Sequence, residues 1–255
     1  MQPNQTAPII HLEQVSLAYD GIDLFTNLNL NLPANQWTCI LGPSGGGKST
    51  LLKFIAGLIP NDSKQITCTG KGSLRPEQVS YMAQTDLLLP WFSALDNALL
   101  GAHLRGTLST SLETKAKKLF AQVGLNGAEK KYPHQLSGGM RQRVALVRTL
   151  LEEKPVVLMD EPFSAVDAIT RFQLQTLAAD LLRECTVLLI THDPLEALRL
   201  ADDIYILSGV PAKLDLTLQL KTATPRDITT SELIAHQATL YHALTRAKET
   251  SLWDQ

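Results

Sequence analysis

No stretch of about 18 uncharged apolar residues occurs in the chain, so nothing in the pattern reads as a bilayer-spanning helix. An excess of one charge is also missing. Lys and Arg total 23 against 25 Asp and Glu, a formal net charge of -2. A surface built to hold nucleic acid or anionic lipid by charge alone is therefore not expected. Cysteine is scarce: Cys39, Cys68 and Cys185 are odd in number and far apart. That is the pattern of reduced thiols in a cytosolic protein, not of a disulfide framework or a metal site. The opening residues, Met1 to Thr6, hold no basic patch followed by an apolar run, so a secretory signal is not expected. Internal repeats and low-complexity linkers are missing too. What is present is 255 residues, 44% hydrophobic and 19% charged, the mixture of one globular domain with a buried core.

Residues 9 to 32 read as antiparallel strands. In Leu28-Asn29-Leu30-Asn31-Leu32 strict alternation puts three leucines on one face, and Asp20-Gly21 is a turn dipeptide between two such runs. Trp37-Thr38-Cys39-Ile40-Leu41 is nearly all apolar, as expected of a strand covered on both faces in a parallel sheet. Val156 to Met159 and Val187 to Ile190 repeat the pattern. Helical periodicity lies between these strands. Leu51, Phe54, Ile55 and Leu58 share one face, across a tolerated Gly57, and Met140, Val144, Val147 and Leu151 share another. Alternating strands and helices predict an α/β core. Residues 86 to about 150 show helix formers without a strand and read as a helical insertion. After Leu207, the alternating Leu214, Leu216, Leu218 and Leu220 predict a half-exposed antiparallel strand. Leu233, Ile234, Leu240, Tyr241 and Leu244 predict a final amphipathic helix, and the last ten residues are expected to fray.

Gly42-Pro43-Ser44-Gly45-Gly46-Gly47-Lys48-Ser49 fits G-x-x-x-x-G-K-[ST] without a mismatch, between an apolar strand and an amphipathic helix. Glycines let several backbone N–H groups converge on one anion, and the helix N-terminus adds partial positive charge. Lys48 can then reach the β- and γ-phosphates, and the Ser49 hydroxyl can ligate Mg²⁺. A loop that merely turned a strand into a helix would need neither side chain. Asp160 and Glu161 close the apolar run that starts at Val156. Asp160 at the strand tip suits a Mg²⁺ carboxylate, and Glu161 suits the group that polarises an attacking water.

Leu136-Ser137-Gly138-Gly139-Met140-Arg141-Gln142-Arg143 separates this chain from other phosphate-loop proteins. It reads as a second anion site: a serine helix cap, two glycines exposing N–H groups, and a helix dipole behind them. The segment resembles the signature of the ATP-binding-cassette (ABC) ATPases, and the resemblance covers roughly residues 9 to 208. It implies an ABC ATPase core, a mixed parallel sheet flanked by helices, with an N-terminal antiparallel β-subdomain and an inserted helical subdomain at about 86–150. One domain then spans 1–255, with a short C-terminal extension at about 209–255.

The same resemblance implies ATP and Mg²⁺ as ligands. Tyr19, Gly42 to Gly47, Lys48, Ser49, Thr50 and Gln84 would bind ATP, and Ser49, Gln84 and Asp160 the metal. Glu161, His192 and Lys48 would be catalytic. Ser137, Gly138, Gly139 and Gln142 would contact the ATP of a partner chain in a head-to-tail homodimer, with Asp167 in the D-loop, Ser164 to Asp167. Val166 stands where leucine is commoner in that loop, a mild departure. The other histidines, His11, His103, His134, His236 and His242, match nothing in the pattern. The apolar cluster Leu87 to Phe92 leaves two readings open: a buried start to the helical insertion, or a groove for a short helix of a membrane permease. The stretch from Gln84 to Gly101 is similar to the nitrate/sulfonate/taurine importer ATPases. Together with Gln36 to Gly45 it is nearest to the hydroxymethylpyrimidine or thiamine-precursor type. That implies a peripheral subunit on the cytoplasmic face of the inner membrane, working with permease subunits and an extracytoplasmic substrate-binding protein and without nucleic acid. An exporter or non-transport cassette is the alternative.

Overall fold

The structure, a computed structural model, describes residues 7–19, 21–59, 66–68 and 72–250. β1 (Ile10–Tyr19) and β2 (Ile22–Leu32) form the expected antiparallel hairpin. Leu28, Leu30 and Leu32 are buried while Asn29 and Asn31 are exposed. Asp20 of the expected turn lies outside the described residues. β4 (Ile66–Cys68) and β5 (Gly72–Ser73) complete a sheet in the order β2-β1-β4-β5.

A second sheet carries the site. β3 (Trp37–Leu41), β6 (Val79–Met82), β7 (Val156–Asp160), β8 (Thr186–Ile190) and β9 (Asp203–Ser208) run parallel, and β10 (Lys213–Gln219) pairs antiparallel with β9 at one edge. The strand order is β10-β9-β3-β8-β7-β6. Every residue of β3, β7 and β8 is buried, because both faces of the sheet are covered. Ile40, Leu158, Leu188 and Ile190 point toward α1 (Lys48–Ile55) and the first sheet. Their neighbours Cys39, Val157, Met159 and Leu189 point into a core shared with the helices. α2 (Ala94–Ala98), α3 (Leu100–Arg105), α4 (Thr110–Gln122) and α5 (Gly138–Leu151) occupy residues 86–150, without a strand among the described residues. Val144, Val147 and Leu151 of α5 are buried on the expected face. α6 (Ala168–Leu181), α7 (Pro194–Leu200) and α8 (Ser231–Thr250) complete the chain. No helix of the described residues is long and apolar enough to cross a membrane, and none of the three cysteines is in a disulfide.

Three local expectations are corrected. α1 does not extend to Leu58, which is 62% exposed. Gly57 adopts φ +72°, and the N–H groups of Gly57 and Leu58 donate to Phe54 O and Lys53 O, a Schellman ending. Glycine here terminates the helix instead of sitting within it. In α8, Ile234 and Tyr241 are 55% and 52% exposed, while Leu233, Leu240 and Ala247 are buried. A seven-residue spacing gives a narrow seam against α7 and β9, and a residue one position on is turned about 100° away from it. The expected fraying does not begin at residue 246, since α8 continues to Thr250; residues 251–255 lie outside the described residues.

The C-terminal segment is anchored through Arg226, whose carbonyl accepts from Arg199 Nη1 at 3.0 Å. Arg226, 4% exposed, donates from Nη1 to Ala201 O at 2.5 Å and Leu198 O at 3.3 Å. Its Nη2 donates to Asp202 Oδ1 and Leu220 O, both at 3.2 Å, and its Nε to Thr222 Oγ1 at 2.8 Å. It thus satisfies carbonyls left free at the end of α7 and joins them to the chain leaving β10. Asp202 Oδ2 meanwhile accepts the Trp37 N–H at 2.9 Å. Arg226→Met is expected to lower unfolding free energy by about 3 kcal/mol, because one partner of a largely buried pair is removed; urea titration of the two proteins measures it.

Candidate active site

The segment from Gly42 to Gly47 joins the C-terminal end of β3 to α1, where an open parallel sheet places its ligands. Gly47 is the N-cap of α1 at φ +89°, and no side chain caps the helix. The first N–H groups of α1 therefore face the cleft without a side-chain acceptor, a ready anion site. Lys48, 7% exposed, folds over the loop and donates to Gly42 O at 2.9 Å and Pro43 O at 2.7 Å. Burial pulls its pKa down, opposed by the charges of Glu161 and Asp160. The cation thus rests on neutral carbonyls, and a phosphate would be a stronger partner.

The loop opens on a cleft of about 430 Å³. Its lining brings together Ser44, Gly45, Gly47, Lys48, Ser49 and Thr50 with Gln84, Asp160 and Glu161. These come from the loop, the end of β6 and the end of β7, as the sequence motifs require. Lys53, Leu24 and Ile59 line it as well; no motif singled them out, and Lys53 adds a second cation. The Tyr19 side chain lies outside the described residues.

Asp160 is 2% exposed at the tip of β7. Burial raises its pKa, a hydrogen bond from Ser49 lowers it, neighbouring Glu161 raises it, and Lys48 and Lys53 lower it. Asp160, the Ser49 hydroxyl and the Gln84 amide are hard oxygen donors on one cleft, a set that fits Mg²⁺. Glu161 sits in the left-handed region at φ +49°, with its N–H donating to Ile190 O at 2.9 Å. Such a conformation costs roughly 1–3 kcal/mol in a non-glycine residue and gathers at functional sites. It turns the carboxylate out of the strand, so that Oε1 lies 3.3 Å from His192 Nδ1. The imidazole follows β8 and is mostly exposed.

Ser137 caps α5, its Oγ accepting the Met140 N–H at 3.3 Å. The two glycines behind it differ in their reason. A Cβ on Gly139 would fall 2.8 Å from Ala165 O in the D-loop, whereas one on Gly138 would meet nothing nearer than Arg141 Nη2 at 3.9 Å. Gly139 is therefore required by packing, and Gly138 stays open toward solvent. Gln142 departs from its expected role. It is 6% exposed, donates to Glu161 O at 2.9 Å and Ser164 Oγ at 3.1 Å, and accepts the Ala165 N–H at 2.8 Å. Its amide ties α5 to the Glu161 turn and the D-loop within one chain, so it is not presented to a partner's ATP. Asp167 is exposed and caps α6 through the Thr170 N–H at 3.0 Å, which lowers its pKa.

Several functional contacts had no sequence motif. Arg141 Nε donates to Asp86 Oδ2 at 2.9 Å, and Arg148 donates to the carbonyls of Asp86 and Leu87. The segment after Gln84 is thereby fastened to the signature helix. Asn97, fully buried, holds the next turn by donating to Leu89 O, Phe92 O and Ser93 O and accepting the Leu89 N–H. That scaffold leaves Leu87 62% and Trp91 68% exposed, while Leu88 packs against the core. Only the last conforms to a buried start of the helical insertion. The partners of Arg141 and Arg148 lie 55 to 62 residues away, and Asn97 bonds to backbone groups, so spacing along the sequence does not reveal these contacts.

Gly139→Ala is expected to cost about 1–3 kcal/mol because the D-loop backbone must move. Gly138→Ala should change stability by less than about 1 kcal/mol, the scale of helix propensity alone. Denaturant unfolding of both variants compares the two.

Comparison with known proteins agrees with this geometry. Residues 25–164 match the family model described as ABC transporter. An uncharacterized ABC transporter ATP-binding protein of Haemophilus influenzae is 46% identical over 200 residues, covering 78% of this chain and 82% of the relative. The aliphatic sulfonates import ATP-binding protein SsuB 2 of Burkholderia cenocepacia is 37% identical over 250 residues, covering 97% and 91%. The taurine import ATP-binding protein TauB of Escherichia coli is 39% identical over 218 residues, covering 84% and 86%. Among solved structures, a dimeric post-hydrolysis state of the ATP-binding cassette MJ0796 bound to ADP and Pi superposes with a TM-score of 0.74 at 27% identity, covering 84% of this chain and 99% of that one. With the phosphate loop, the Asp160-Glu161 strand tip and the signature helix in this arrangement, the chain belongs to the ABC transporter family as an ATP-binding, ATP-hydrolysing cassette.

Proposed function

We propose that this cassette drives import of a small solute through a membrane permease, docked at the cytoplasmic face of the inner membrane. The observation that carries the catalytic part is the Glu161–His192 pair, 3.3 Å apart, with Glu161 also lining the phosphate-loop cleft. Glu161 accepts a proton from the attacking water, and His192 holds its carboxylate in the attack geometry and reaches toward the γ-phosphate. Lys48 leaves the loop carbonyls for the β- and γ-phosphates. Gly42 to Gly47 and Thr50 cradle the chain of phosphates, and Ser49, Asp160 and Gln84 hold Mg²⁺. When bound, that ion supplies charge neutralisation of the phosphate oxygens.

The Ser137-Gly138-Gly139 end of α5 is half of a second anion site, and nothing among the described residues completes it. We read it as completed by the ATP of a partner chain, in a head-to-tail homodimer in which Asp167 and the D-loop line the seam. ATP then satisfies donors from both chains and closes the pair, and phosphate release removes the shared ligand. Residues 86–150 act as the helical subdomain of a single 1–255 domain, with 209–255 as its extension. The exposed Leu87 and Trp91, held out by Asn97, are the docking surface for a short permease helix. A substrate-binding protein outside the membrane delivers cargo. The relatives' names favour an anion of the sulfonate or taurine kind, and the resemblance over residues 36–45 and 84–101 favours a hydroxymethylpyrimidine or thiamine precursor.

Glu161→Gln should retain ATP binding and slow turnover about 10²–10⁴-fold. Unchanged phosphate release in that variant would remove Glu161 as the base. Lys48→Ala should lose nucleotide affinity, measured by equilibrium titration with a fluorescent ATP analogue. Affinity purification of tagged Glu161→Gln from solubilised native membranes with ATP should recover a stoichiometric polytopic protein. Recovery of a ribosomal or DNA-bound partner instead would count against transport.

A further inference from the structure

Glu196 lies in the first turn of α7, 5% exposed, in a protein whose cleft is reached by other carboxylates. It accepts a hydrogen bond from Thr191 Oγ1 through Oε2, and the Gln175 side chain is a second hydrogen-bonding neighbour that favours its ionised form. Thr191 Oγ1 in turn accepts the Asp193 N–H at 3.1 Å. The hydroxyl therefore clamps both ends of the three-residue turn Thr191-His192-Asp193, with the imidazole at its apex. Asp193 is fixed from the other side, capping α7 through the Leu195 N–H at 2.9 Å and lying 3.4 Å from Arg171 Nη1. Arg171 Nη2 reaches Val166 O of the D-loop at 3.2 Å. A buried acid, one hydroxyl and one short turn thus determine where His192 stands.

We propose that Glu196 is a positioning residue for hydrolysis: by holding the Thr191 hydroxyl it fixes the turn that presents His192 to Glu161. The proposal rests on the reading of Glu161 and His192 as the catalytic pair. A buried acid is a poor choice for stability alone, since burial penalises the ion and an apolar or amide side chain would fill the same space. Its value lies in the ionised form, because a hydrogen bond to a carboxylate is shorter and roughly twice as strong as one to a neutral acceptor.

The proton of Glu196 gives the clamp a measurable signature. Burial raises its pKa to about 7; the Thr191 hydrogen bond opposes this, Asp193 adds to it, and Arg171 and Gln175 oppose it. Glu161 and His192 face the same small void, and Cys39 on β3 feels the Glu196 charge. Because the folded pKa lies above the ordinary carboxylate value, Glu196 contributes stability that is full at low pH and lost as pH rises through about 7. The ionised clamp is gained over the same interval. The chain should be less stable where it turns over faster.

Steady-state ATPase assays of the full chain between pH 6 and 8.5 test this with Glu196→Gln, Thr191→Val, Thr191→Ser and His192→Ala. Glu196→Gln is expected to lower kcat at pH 8 about 5- to 10-fold at unchanged KM, the scale of the difference between a charge-assisted and a neutral hydrogen bond. It should also abolish the fall in kcat as pH drops through about 7, and raise the melting temperature at pH 8. Thr191→Val should reproduce the kcat loss and Thr191→Ser should restore it, which keeps the proposal testable if Glu196→Gln does not fold. Wild-type kcat in Glu196→Gln, an unmoved acidic limb, or a loss confined to KM would overturn it. If His192→Ala leaves turnover unchanged, the catalytic pair itself fails. If His192→Ala loses turnover while Glu196→Gln does not, only the positioning role fails.

Discussion

Polar groups in the phosphate-loop cleft are only partly paired among the described residues, and the surrounding structure is arranged around that incomplete pairing. The N–H groups at the start of α1 have no side-chain cap, Lys48 is buried against neutral carbonyls, and Asp160 is buried at the end of β7 with Ser49 as its donor. Each group alone would be costly in a closed core. They are tolerated because a parallel sheet delivers them to one open edge, where a polyanion and a hard cation can satisfy them together. The sheet's two buried cores make that edge stiff enough to keep the groups in register.

From this edge a continuous polar path leads through the rest of the site. Gln142 ties the signature helix to the Glu161 turn and the D-loop, Arg171 joins the D-loop to Asp193, and the Thr191 hydroxyl closes the His192 turn onto Glu196. On the other side Arg141 and Arg148 hold the segment after Gln84 to the same signature helix, and Asn97 shapes the exposed Leu87 and Trp91 beyond it. A change in what occupies the cleft therefore has a bonded route both to His192 and to the apolar surface. Arg226 seals the far end of α7, so movement of the His192 turn meets a fixed base.

The elements that sequence reading recovers are those in which spacing alone carries the physics. The glycine-rich loop, the all-apolar strands, the Asp160-Glu161 tip and the Ser137 cap all stand where the pattern puts them. Failures occur where the partner comes from elsewhere in the chain. Gln142 reads as part of an exposed signature, but three contacts from the D-loop side bury it. Ile234 and Tyr241 are apolar yet exposed, because α8 meets α7 and β9 along a narrow seam that periodicity cannot orient. Gly57 is a local exception: it reads as a blemish in a helix and is its terminator. Glu196 carries no motif at all. Its burial and its bond to Thr191 exist only once α7 is folded against β3.

In the proposed homodimer each ATP is held between the phosphate loop of one chain and the signature glycines of another. Mixing two inactive proteins tests it most directly: Lys48→Ala, which keeps an intact signature, and Gly138→Asp, which keeps an intact phosphate loop and places its charge in open space. Neither should hydrolyse ATP alone, and the mixture should recover turnover from the one composite site whose two halves are both intact. Full activity of Gly138→Asp by itself, or a mixture no more active than its components, would contradict the shared site.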